Sequence, residues 1–184
     1  MRQTRDTGLL PESDLMARAG GRMPYEMAGD DANYPIARIL TTADLVGRGK
    51  GKIPQLESAL SDRDGAVRFW GATGLAALGL AAKPASDHLV AALQDQQSSV
   101  RFAAAEALCN IGRERQALPV LIAGLQNGNI YEQLHAAETL VVIDAKARPA
   151  IAEMKAAIKR AEGLQDHGWY LREALSFLVN KLEA

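Results

Sequence analysis

Residues 62–79 read Asp-Arg-Asp-Gly-Ala-Val-Arg-Phe-Trp-Gly-Ala-Thr-Gly-Leu-Ala-Ala-Leu-Gly, and residues 95–112 read Asp-Gln-Gln-Ser-Ser-Val-Arg-Phe-Ala-Ala-Ala-Glu-Ala-Leu-Cys-Asn-Ile-Gly. At a shift of 33 positions Asp62/Asp95, Val67/Val100, Arg68/Arg101, Phe69/Phe102, Ala72/Ala105, Leu75/Leu108 and Gly79/Gly112 coincide, as does Leu60/Leu93 just upstream. A shift of 32 carries Leu93, Ala105, Glu106, Leu108 and Ile111 onto Leu125, Ala137, Glu138, Leu140 and Ile143. A looser fourth copy runs from Pro149 through Ile158 to Leu175 and Leu178. Recurrence at such a period marks supersecondary units that bury their apolar faces only by stacking on one another.

Each copy holds two helical stretches. The first begins near a proline (Pro54, Pro84, Pro119, Pro149), a residue suited to a helix's first turn because its missing N–H is not needed there. The second spaces Val67, Gly71, Leu75 and Leu78 at helical intervals. Gly79 and Gly112 follow where a left-handed C-cap is expected, and Asp64-Gly65, Asn127-Gly128 and Gln96–Ser99 supply turn chemistry between the paired helices. Small residues within the second helices (Gly71, Ala72, Gly74, Ala103, Ala104, Ala105) permit close packing. The pattern predicts an all-α fold, an α-solenoid of about four stacked antiparallel helix pairs over residues 53–184.

Composition agrees with a helical chain. Of 184 residues 48% are apolar and only 5% aromatic, with Ala and Leu abundant, which favours helices over sheets. Lys+Arg 21 against Asp+Glu 22 gives a net charge of −1, without the basic excess that nucleic acid or an anionic membrane attracts. No apolar run reaches the ~18 residues of a membrane span, and the first residues lack the apolar core of a signal peptide. Compartment is left open. One cysteine, Cys109, excludes an internal disulfide and a cysteine-based zinc cage.

The copies resemble HEAT-type repeats of the short bacterial kind, with an Asp…Val-Arg…Ala-x-x-Leu-x-x-Ile/Leu-Gly core. That resemblance implies that Asp62 and Asp95 cap the second helices, and that Arg68 and Arg101 join a ladder between repeats. The third copy has Glu132 and Gln133 in place of the Val-Arg pair, so the ladder is expected to weaken there.

Residues 1–52 form a separate N-terminal segment holding seven of the 16 glycines, with Gly47-Arg-Gly-Lys-Gly-Lys52 as a flexible connector. Pro11–Arg18 is expected to be a short helix and Tyr34–Val46 a longer one, whose apolar face can stack as a half-repeat. Thr4–Glu12, Gly21–Ala28 and Tyr34–Leu40 look like a region of certain bacterial sulfatases that follows the catalytic domain and leads into a HEAT-repeat tail. The resemblance covers the whole chain. It implies a non-catalytic tail whose protein partner is a sulfatase catalytic domain in the same polypeptide. A sulfatase nucleophile is a Cys or Ser in a Cys/Ser-x-Pro-x-Arg setting; Cys109 lies in Ala-Leu-Cys-Asn-Ile-Gly, and no serine has that context.

Other chemistry finds no anchor. His88, His135 and His167 are scattered, without the paired His-Glu ligands of HEAT-repeat di-iron hydroxylases. His135 has Glu132 and Glu138 a turn away on either side, most simply a solvated helix face. No phosphate loop or nucleophile triad is present, and nothing marks the bilin pocket of the phycobilin lyases, which share similar repeats. No cofactor, metal site or catalytic residue is expected.

One pattern points to binding. On a helical wheel Phe69 lies roughly opposite the buried side of its helix, and its counterparts are Phe102, Leu134 and Trp169. The next strip along reads Thr73, Glu106, Glu138 and Glu173, and Trp70, Tyr131 and Tyr170 lie near the same helix starts. An apolar row beside an acidic row suits protein docking. The alternative is that these rings fill gaps between repeats, or that residues 1–30 fold over them. A stand-alone adaptor would use the same row for a separate partner.

Overall fold

Turn chemistry sets the helix boundaries. In the computed structural model, which describes residues 10–23, 26, 30–164 and 167–184, α1 (Glu12–Ala19) and α2 (Ile36–Ala43) precede four helix pairs. The pairs are α3 (Ile53–Ala59) with α4 (Gly65–Ala77), α5 (Ser86–Ala92) with α6 (Ser98–Asn110), α7 (Glu114–Asn127) with α8 (Ile130–Ile143), and α9 (Ile151–Ala161) with α10 (His167–Glu183). No strand occurs among the described residues. The second helices α4, α6, α8 and α10 pack in series as one layer, and α3, α5, α7 and α9 back them. The fold is an all-α solenoid.

The N-caps fall at Asp64, Gln97 and Asn129, keeping the 33- and 32-residue spacing of the sequence copies. Asp64 accepts from the Ala66 N–H at 2.8 Å. Asn129 and Glu132 form a reciprocal capping box. Among the first helices only α3 carries its proline, Pro54, in the first turn. Pro84 and Pro149 lie in the 3-10 turns Gly79–Ala85 and Asp144–Ala150, just before α5 and α9. Pro119 lies inside α7, because that helix starts directly after Gly112-Arg113. Pro119 has no N–H to donate to the carbonyl of Arg115 four residues earlier, and Arg115 is an exposed residue of α7.

Gly79 (φ 53°) and Gly112 (φ 85°) adopt the left-handed conformation. Thirty-two positions after Gly112 stands Asp144, with φ 52° and ψ −122°, a region a Cβ strongly disfavours. Asp144→Gly is expected to raise stability by about 1 kcal/mol, read as a higher urea midpoint. Its half-exposed pair with Lys181 at 2.8 Å is worth too little to cancel that gain.

Close backbone approach explains the small residues of α4. A Cβ on Gly71 would meet the Ala59 Cβ at 2.9 Å and the Leu56 carbonyl oxygen at 3.0 Å, so α4 lies directly on α3. Buried leucines then run through the layers, among them Leu56, Leu75, Leu89, Leu108, Leu121 and Leu140.

The N-terminal segment packs on the array. α2 stacks against α4, and α1 reaches α8. Arg18 forms a two-pronged pair with Asp64, at 2.8 and 3.0 Å. Burial raises the Asp64 carboxyl, but Arg18 and the Ala66 N–H outweigh it and hold the group below the usual range. Buried Asp14 accepts from the Ser99 hydroxyl near the start of α6. Leu10, Leu15, Tyr34, Ile39, Val67 and Trp70 pack as one apolar cluster. Of the segments that resemble the sulfatase region, residues 4–9, 24–25 and 27–28 lie outside the described residues.

An arginine–aspartate ladder ties successive units. Arg38 Nη2 donates to Asp62 Oδ1 at 2.5 Å. Arg68 donates to both oxygens of Asp95, through Nε at 2.6 Å and Nη2 at 2.9 Å. Asp62 and Asp95 do not cap the helices themselves. Their Oδ1 atoms accept from the N–H groups of the N-cap residues Asp64 and Gln97, at 2.7 and 2.9 Å. Arg101 donates only to the Asp95 and Gln96 carbonyls, because Asn127 stands where the next aspartate would. Gln133 keeps a single backbone bond of this kind, to the Gly128 carbonyl at 2.8 Å.

Burial raises the Asp95 carboxyl, and the Arg68 guanidinium and Gln97 N–H outweigh it, leaving it depressed. Arg68→Ala strands that part-buried charge and is expected to cost about 2 kcal/mol at neutral pH, read by urea denaturation. A carboxylate with a depressed folded pKa stabilises above its unfolded pKa and loses that contribution as pH falls through the folded value. The difference between wild type and variant should therefore shrink in acid.

Candidate interaction surface

The second helices carry the candidate surface, and their packing divides it. Phe69 and Leu134 are half-buried against the core. Phe102 is 1% exposed, so it is a core residue and not part of an exposed row. The reason lies across the interface: a Cβ on Gly124 of α7 would stand 2.6 Å from Phe102 Cζ, so the missing side chain leaves the slot that the ring fills. His135 of α8 closes over the same ring edge-on, with centroids 5.3 Å apart. Only Trp169, at 57% exposure, meets solvent as the apolar row requires.

Trp70, on the first repeat, packs with the N-terminal segment instead. Tyr131 sits against the His167 ring, 5.3 Å between centroids.

The open part lies between α8 and α10. A groove of about 560 Å³ is lined there by Glu138, Val142, Trp169, Tyr170, Glu173 and Phe177, together with Val141 and Ala174. Val142, Trp169, Tyr170 and Phe177 are all exposed. Phe177 and Val142 are absent from the row and strip read off the sequence. One further i+4 step, from Trp169 through Glu173 and from Leu134 through Glu138, reaches both.

The acidic strip divides in the same way. Glu106 is half-buried, whereas Glu138 and Glu173 are exposed at the groove. Burial pushes the carboxyls of Glu106 and Glu138 up, and no cation lies within salt-bridge distance of either among the described residues. Glu173 has Arg172 at 3.7 Å.

His135 Nδ1 is shielded from solvent and makes no hydrogen bond. Burial pulls its pKa down to about 4. Cys109 is buried, and burial pushes its thiol up to about 12, which leaves it without thiolate character at neutral pH. Among the described residues no three of His, Cys, Asp and Glu come together to hold a metal ion, and no helix is long and apolar enough to cross a membrane. The surface can offer shape, apolar area and negative charge.

Comparison with known families agrees with the architecture. The family model for HEAT repeats matches residues 31–109 and again 53–141, together more than half of the chain. No curated protein matches the chain.

Proposed function

The chain belongs to the HEAT-repeat family, and on that footing we propose that it is a non-catalytic interaction module docking a protein partner in the α8–α10 groove. The observation that carries this reading is the cluster of four exposed large apolar side chains around that groove. Scattered exposed apolar residues need no explanation, but a contiguous patch in a concave site does.

In the fuller form of the proposal the partner is a sulfatase-type catalytic domain in the same polypeptide. What supports it is the likeness of Thr4–Glu12, Gly21–Ala28 and Tyr34–Leu40 to the segment that joins such domains to their repeats. A second reading, a stand-alone adaptor, draws on the same open groove. An immunoblot of the source organism, using an antibody against this chain, separates the two. A band several tens of kDa above 19.7 kDa supports the tail, since a further domain adds on that order. A band near 19.7 kDa supports the adaptor. Sulfate release from an aryl sulfate by this chain alone would contradict the non-catalytic reading.

A further inference from the structure

Two parallel stripes face each other across the groove. Trp169, Glu173 and Phe177 step by four along α10, and Glu138 and Val142 do so along α8. Residues four apart share a helix face, so each stripe sets a carboxylate beside large apolar side chains. Among the described residues Glu138 and Glu173 are the only charged ones lining the groove. The one cation within salt-bridge distance of either, among the described residues, is Arg172, at 3.7 Å from Glu173 Oε1.

We propose that the groove takes an amphipathic helix of a partner protein, with its apolar residues on Trp169, Phe177 and Val142 and an arginine or lysine between Glu138 and Glu173. This deepens the docking reading above and rests on it. A helix laid in a groove presents anchors about one turn apart, at i, i+4 and i+7, which suits the apolar–acidic–apolar order of α10. Trp169 and Tyr170 line the same groove, and the electron-rich face of an aromatic ring attracts a cation. Burial raises the Glu138 carboxyl, and a cation bound beside it would bring it back down.

Other occupants fit less well. A second copy meeting this face about a two-fold axis would set the patch against itself and bring like carboxylates together. An anionic lipid surface would be repelled by both glutamates.

The test uses the whole chain and three synthetic helices of about five turns: one with an apolar stripe flanked by Lys and Arg, the same stripe flanked by Glu, and a basic helix with Ser in the stripe. Fluorescence anisotropy of the labelled peptides reads binding. Only the first helix should bind, and added salt should weaken it. Glu138→Gln with Glu173→Gln should weaken it roughly tenfold, and Trp169→Ala with Phe177→Ser at least as much. All four positions are exposed, and unchanged thermal unfolding would confirm that the variants fold.

Equal binding of the basic and acidic helices, or an affinity changed less than about twofold by the two glutamine substitutions, overturns the cation pairing while leaving the groove as a docking surface. Binding of the Ser-substituted basic helix as tightly as the first overturns the apolar anchors. No binding by any of the three overturns the helix as occupant, and photocrosslinking from position 177 then decides the docking reading separately.

Discussion

Phe102→Ala should lower stability by about 3–5 kcal/mol, the range for emptying a fully buried aromatic site. Trp169→Ala should change it by less than about 0.5 kcal/mol. The two residues hold equivalent positions in their repeats, so sequence alone assigns them the same fate. The structure separates them, with Phe102 at 1% and Trp169 at 57% exposure. Phe102 occupies the slot left by Gly124 and touches the His135 ring, and three helices would line the cavity its removal leaves. Urea denaturation of both variants measures the contrast. Equal effects would mean that the two rings share one environment.

The second large effect is a pH dependence centred on His135. The folded chain holds this imidazole at a pKa of about 4, because burial disfavours the cation, against about 6.5 in the unfolded chain. Between those two values the unfolded chain binds a proton that the folded chain does not. Stability due to this residue is therefore full above about pH 6.5 and falls as pH drops toward 4. The loss is on the order of 3 kcal/mol over the window.

Asp14, Glu106 and Glu138 act with the opposite sign, since burial raises their carboxyls and the folded chain then takes up their protons first. His135→Leu isolates the histidine. The variant should lose the part of the pH slope between 4 and 6.5 that wild type shows, as measured by urea midpoints at a series of pH values. Parallel slopes for the two proteins would contradict the account.

Local rules made most of the fold legible. The copies 33 and 32 residues apart in sequence reappear as N-caps at Asp64, Gln97 and Asn129, and Gly79 and Gly112 take the left-handed conformation their positions suggest. A helical wheel sees one helix at a time, and the surface depends on more than one. Whether Phe102 points to solvent is decided by Gly124, 22 residues later on another helix. Whether Trp70 is free is decided by Leu10, Leu15 and Tyr34, which cover the first repeat. Arg18 finds Asp64 across 46 residues of chain, a pairing that no periodicity announces. The groove was only half legible. Trp169, Glu138 and Glu173 belong to the row and strip, but Val142 and Phe177 lie one helical step beyond them.

Photocrosslinking tests the central claim, docking through the α8–α10 groove, most directly. A photoreactive phenylalanine analogue would replace Phe177 in the protein expressed in its own organism. A control would carry it at Leu80, which is more exposed still but lies in the 3-10 turn after α4. The account predicts a discrete covalent adduct from position 177, to a separate protein or to another part of the same polypeptide, and none from position 80. Adducts of equal yield from both positions, or from position 80 alone, would contradict it.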